Sequence, residues 1–174
     1  MSHRLVCSLL ASTLLLLCAC QGYDIKVNDK VVYSPPPLFT AYDLPDPALR
    51  TCVGQAILDQ SITAPEQLRD LNCSHAGIAD LTGLAIFRGL TRLRLSANKI
   101  LNLVELGNLD NLRELYLQDN RIIDPVPLYA LTSLQKLNLG GNPDLQCPRG
   151  NGFADVEQVE LPQHCLAENA AGES

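Results

Sequence analysis

Leucine recurs through the second half of this chain at a fixed interval. Leu68, Leu90, Leu112 and Leu134 lie 22 residues apart, and Leu71, Leu93, Leu115 and Leu137 each follow three residues later. Two residues further on come Cys73, Leu95, Leu117 and Leu139, then Ala76, Asn98, Asn120 and Asn142, then Ile78, Ile100 and Ile122. Leu84, Leu106 and Leu128, with Phe87, Leu109 and Leu131, complete the unit. The L-x-L core has period two, which predicts a short strand with its leucines facing inward. The asparagine falls where the chain must turn, and its side chain suits backbone amides that no ladder satisfies. One such unit cannot bury its own leucines, whereas a stack of at least three can. The pattern gives four units, with the last truncated: Asp144 stands where isoleucine is expected, after Asn142-Pro143. Pro125 and Pro127 predict an extended rather than helical second half in the third unit.

The unit L-x-x-L-x-L-x-x-N-x-I, matched at nine or more positions over about residues 46–147, resembles the leucine-rich-repeat family, closest to its 22-residue class, which includes bacterial internalins. The resemblance implies an α/β fold: a short right-handed solenoid with a small parallel sheet, a helical cap before the first unit and a small cap after the last. Asp46-Pro47 is a strong helix start, and a helix to about Leu58 presents Leu49, Val53, Ala56 and Ile57 to the array. Thr63 with Glu66 reads as a capping box opening a second short turn. Residues 46–67 are thus expected as the N-terminal cap, 68–147 as repeats, and 148–174 as C-terminal cap and disordered tail.

The first residues read differently. Arg4 precedes an apolar run from Leu5 to Leu17. That run is shorter than the roughly twenty residues a membrane-spanning helix needs, and fits a signal peptide. Leu17-Cys18-Ala19-Cys20 resembles a bacterial lipobox. The resemblance implies removal of residues 1–19 and a diacylglycerol and N-acyl lipid on Cys20, with no other cofactor, and a cell-envelope location, in the outer membrane of a Gram-negative bacterium. Residues 20–45, with the run Ser34-Pro35-Pro36-Pro37, read as an extended tether, with a weak hairpin turning at Asn28-Asp29.

Of the seven cysteines, four remain beyond Cys20: Cys52, Cys73, Cys147 and Cys165. An even number in an exported chain predicts two disulfides. On the stacked geometry that the repeat resemblance implies, Cys73 lies under the helix carrying Cys52. Cys73 and Cys147, three units apart, sit roughly 14 Å from each other at a strand spacing near 4.8 Å, too far to bridge. The expected pairs are Cys52–Cys73 and Cys147–Cys165. A zinc site from Cys73 and His75 is the weaker alternative, because Cys73 points inward; no metal is expected.

Net charge is −6, without a long basic run, which disfavours nucleic acid as a partner. Outward positions of the strands form columns on the expected concave face. Asp70, Arg92, Glu114 and Lys136 alternate in sign and are expected to pair with one another. Asn72, Arg94, Tyr116 and Asn138 form the next column, and Ser74, Ser96, Gln118 and Gly140 the third. Arg and Tyr are enriched at binding hot spots, so Arg92, Arg94, Tyr116, Gln118 and Asn138 are the candidate partner contacts, and Asn98, Asn120 and Asn142 a structural asparagine ladder. No catalytic residues are assigned: Ser96, His75 and Asp119 fall on different units of an open sheet. The expected function is a monomeric interaction module for a protein or envelope component, membrane-held through its lipid. A periplasmic spacer and an internalin-like ligand for a host cell are the alternatives.

Overall fold

The computed structural model describes residues 25–148 and 152–166. The expectations at residues 1–24, including the lipid at Cys20, lie outside the described residues. The chain divides into two compact units, 1–37 and 38–174. In the first, β1 (Ile25–Val27) and β2 (Lys30–Tyr33) form an antiparallel hairpin. Asn28 and Asp29 at its turn both have positive φ, 51° and 62°, as a type I′ turn requires.

In the second unit, α1 (Pro47–Asp59) begins at Asp46, whose Oδ1 accepts the amides of Ala48 and Leu49 at 2.8 and 3.0 Å. Leu49, Val53 and Ile57, one turn apart, are buried, and Ala56 is partly so. The short turn Pro65–Gln67 follows. Its capping side chain is Gln67 rather than Glu66: Gln67 Oε1 accepts from the amides of Thr63 and Ala64 and from the Thr63 hydroxyl. The amide oxygen of Gln67 reaches back over its own turn.

The repeats build one parallel sheet in sequence order: β3 (Asp70–Asn72), β4 (Arg92–Arg94), β5 (Glu114–Tyr116), β6 (Lys136–Asn138) and β7 (Gln158–Glu160). Five strands replace the four units expected. The register keeps step throughout, so Leu71, Leu93, Leu115, Leu137 and Val159 stand in one row. The fourth unit is therefore not truncated. Phe153 fills the place of Phe87, Leu109 and Leu131, and the Val156 amide bonds Phe153 O at 3.1 Å, as Leu134, Leu112 and Leu90 do one, two and three units earlier. Leu145 instead of Asp144 takes the buried place after Asn142, because Pro143-Asp144 shifts the chain by one residue.

After each strand the backbone turns through a left-handed residue: His75, Ala97, Asp119 and Gly141, with φ of 59°, 54°, 58° and 67°. The next residue is the ladder asparagine, present in three of these turns. Asn98 Nδ2 donates to Cys73 O and Leu95 O; Asn120 Nδ2 to Leu95 O and Leu117 O; Asn142 Nδ2 to Leu117 O and Leu139 O. Their Oδ1 atoms accept amides of the preceding unit, at Ile78, Ile100 and Ile122. Each side chain thus bolts its own strand end to the unit before it. The first unit has Ala76 here and lacks this bolt; Asp46 ties the cap to that unit at another place, its Oδ2 taking the amides of Ala79 and Asp80 at 2.9 and 3.1 Å.

The return path closes with an Asx turn and a 3-10 helix. Asp80, Asn102 and Asp124 accept the amide two residues on, at Thr82, Val104 and Val126. The 3-10 segments Leu84–Ile86, Val104–Asn108 and Val126–Ala130 follow. Their threefold period explains the spacing of three between buried leucines. The third segment corrects the extended path expected there: Pro125 and Pro127 sit at its start, where a missing N–H costs nothing. At Gly83, φ is +87°, and a Cβ would collide with the carbonyl of Asp43.

The tether ends earlier than residue 45. Leu44 is fully buried, the Phe39 amide bonds Ile62 O, and Phe39 and Tyr42 pack their rings on Phe87 at 6.1 and 5.9 Å. The aromatic side chains cover the first unit, which draws residues 38–45 into the cap. Both expected disulfides are present, Cys52–Cys73 and Cys147–Cys165, with Cα separations of 5.8 and 5.1 Å.

Candidate interaction site on the outer sheet face

Because Leu71, Leu93, Leu115 and Leu137 point inward, their neighbours on each strand point out. Parallel pairing in register then stacks Asp70, Arg92, Glu114, Lys136 and Gln158 in one row. Asn72, Arg94, Tyr116, Asn138 and Glu160 stack in the next.

The first row pairs with itself over three strands. Arg92 holds Glu114 with two bonds, Nε to Oε2 at 2.8 Å and Nη2 to Oε1 at 2.9 Å, and reaches Asp70 Oδ2 with Nη1 at 3.0 Å. Arg94 crosses rows to Asp70 Oδ1 at 3.0 Å. The Tyr116 hydroxyl donates to Glu114 Oε2 at 3.1 Å, and the Arg94 guanidinium carbon lies 5.8 Å from the Tyr116 ring centre. Five side chains are thereby locked into one network. Lys136 is set beside Glu114 by register and has no carboxylate within 4 Å among the described residues.

The charges follow this geometry. Hydrogen bonds from Arg92 hold the Glu114 carboxyl down to about 2, against an opposing push from burial; Tyr116 and the charges of Arg92 and Lys136 add to the lowering. The Glu114 and Asp70 bonds push Arg92 above its usual range in turn. Tyr116 is raised by burial first and by its bond to Glu114 second. The ion-paired side chains are 22–44% exposed. Water screens such pairs, so each contributes only about 0–1 kcal/mol to stability. What the network does is fix the positions of Arg92, Arg94 and Tyr116 before any partner arrives.

Arg92, Arg94 and Tyr116 come together as one cluster. Asn138 is the register partner of Tyr116 on β6, but its Nδ2 is bound to Glu160 Oε2 at 2.5 Å. Gln118 lies two residues beyond Tyr116, with Oε1 buried and without a hydrogen-bond partner among the described residues. Asp70 and Glu114, expected as a self-pairing column rather than as contacts, clamp the arginines, and one member of the surface escapes the sequence reading: Glu160. Glu160 is missed because β7 itself is missed, although Val156, Val159 and Leu161 repeat Leu134, Leu137 and Leu139 at the same interval of 22.

No side-chain hydrogen bond joins Ser96, His75 and Asp119 among the described residues. The donor atoms of Cys147, His164 and Cys165 lie within 4.8 Å of one another, but both sulfurs are spent in a disulfide, and His164 Nε2–H donates to Leu145 O at 2.9 Å. A cleft of about 470 Å³ adjoins the sheet face between α1 and β3, lined in part by Gln60, Asp70 and Asn72.

A family model for leucine rich repeats (two copies) matches residues 110–147. No curated protein matches the chain. Among solved structures, an internalin (inlF) from Listeria monocytogenes is 24% identical, covers 69% of this chain and superposes with a TM-score of 0.59. An internalin C2 (inlC2) from the same organism is 30% identical over 48% of the chain, with a TM-score of 0.43. The chain spans 37% of the length of each. The fold is an internalin-like leucine-rich-repeat solenoid with a five-stranded open parallel sheet.

Proposed function

We propose that this chain is an envelope lipoprotein, lipid-held at Cys20, and that the outer face of β4 to β6 binds a protein or other envelope component without catalysing a reaction. The observation that carries the reading is the network around Arg92 and Glu114. It presents Arg94 and Tyr116 in fixed positions on an open face, and preorganised Arg and Tyr side chains are the common currency of binding hot spots. The likeness to internalins supports the fold on which such a face is built, and function is then argued from the face itself. Lys136, without an ion pair among the described residues, extends the proposed contact area.

The double variant Arg94→Glu with Tyr116→Ala tests it. Both side chains are surface groups, so the melting temperature should move by only a few degrees, while co-purification of the partner from native envelope should be lost. Unchanged co-purification refutes the face. A partnerless spacer would show no co-purifying species with either chain. Acylation is tested separately, by the mass of the N-terminal peptide and by release of Cys20→Ala from the membrane fraction.

A further inference from the structure

A second surface begins a few residues beyond the sheet rows, on the segment that follows each strand. Leu101 and Ile123 occupy the same place in the second and third units, and Val104 and Val126 another. All four are exposed, by 50, 41, 58 and 56%. The two units are joined here by the Arg121 amide on Ile100 O at 3.0 Å, so the four side chains form one patch, two by two. Lys99 and Arg121, both exposed, precede the exposed Leu101 and Ile123 by two residues, with the buried Ile100 and Ile122 between them. This exposed–buried–exposed pattern leaves each cation and the aliphatic group two residues on outside the core, with the isoleucine between them turned in. Neither has a carboxylate within 4 Å among the described residues. Asp124, which falls inside the patch, is folded back onto the Val126 amide at 2.9 Å.

We propose that this strip rests on an anionic phospholipid surface. Aliphatic side chains flanked by Lys and Arg, whose stems lie along apolar surface while their heads stay wet, are the side-chain chemistry of an interfacial membrane contact. The unpaired cations complement anionic headgroups locally, although the chain as a whole is acidic at −6. The inference draws on the anchored reading above. Two cations and four aliphatic groups give weak binding on their own, and a lipid tether turns such a contact into an intramolecular one. The outer sheet face stays available to its partner, because the strip and the sheet rows lie on different segments of every unit.

The test uses residues 38–174, which form a compact unit with its own core and carry no anchor, so its outcome is independent of acylation at Cys20. Phosphatidylcholine vesicles with phosphatidylglycerol should co-sediment the domain, vesicles of phosphatidylcholine alone should not, and added salt should release it. Leu101→Ser with Val126→Ser should weaken partitioning at least about tenfold, and Lys99→Gln with Arg121→Gln about thirtyfold with loss of the salt dependence. These positions are exposed, and an unchanged melting temperature shows that the variants fold. Absence of vesicle binding, or binding that the strip variants leave intact, overturns the proposal. So does a monomer–dimer equilibrium that the strip variants abolish, which would make a second copy the occupant.

Discussion

The two ends of the array meet one problem in different ways. At the N-terminal end a foreign element covers the first unit: α1 packs on β3, Asp46 ties the cap to the amides of Ala79 and Asp80, Phe39 and Tyr42 close over Phe87, and Leu44 is buried. At the other end the repeat runs on. β7 pairs with β6, His164 stands in the asparagine place, and among the described residues no strand pairs with the far side of β7. Each end carries one disulfide, of sequence separation 21 and 18. A solenoid end can thus be finished by an element with its own period or by a decayed copy of the repeat, and only the first leaves a distinct mark in the sequence.

The largest expected effects come from the bolts between units. Asn120→Ala removes two donors to buried carbonyls and the acceptor of the Ile100 amide, and should cost about 3 kcal/mol or more; chemical denaturation measures it. Next come the disulfides. Serine replacement of Cys52 and Cys73, or of Cys147 and Cys165, should each cost about 3 kcal/mol. The loss should spread differently: amide exchange should quicken at β7 and leave β4 protected when the C-terminal bridge is cut, since stability in repeat arrays is nearest-neighbour. Equal acceleration at both strands breaks the distinction between the ends.

Asp46→Ala should cost about 2 kcal/mol, because four backbone amides lose their acceptor. Burial pushes this carboxyl up, and the bonds from Ala79, Leu49, Asp80 and Ala48 outweigh it, so its value lies below 3.8. A lowered folded value means that the contribution is fully present above 3.8 and is lost as pH falls through the lowered one. The wild-type minus Asp46→Ala difference in stability should therefore shrink only in that acid range. The smallest effect is at the face. Glu114→Gln should change stability by about 0–1 kcal/mol. With Glu114 held down from 4.5 to about 2, its contribution should be constant above 4.5 and fade between 4.5 and 2 in acid titration.

The legible parts of the molecule are those that repeat. The leucine rows, the asparagine ladder and both disulfides follow from one period, because stacking fixes which residues are neighbours. The fifth unit was hidden by side-chain substitution: Val156 and Val159 replace leucine, and His164 replaces asparagine. The shift at Pro143-Asp144 also breaks the pattern just before it. The 3-10 turn at Val126–Ala130 was misread because prolines that bar an α-helix interior are tolerated at the first turn of a short helix. On the sheet face, the alternating signs of the Asp70 row foretold its pairing. The diagonal bond from Arg94 to Asp70 and the stranded oxygen of Gln118 depend on side-chain reach, which residue type does not encode.

Site-specific photo-crosslinking in the native envelope tests the central claim most directly, with the probe at Asn138 beside Tyr116 and a control at the exposed Asn108 of the return layer. The account predicts one dominant adduct from Asn138, absent from Asn108 and lost when Arg94→Glu is added. Equal adducts from both positions, or an Asn138 adduct that survives Arg94→Glu, would contradict it.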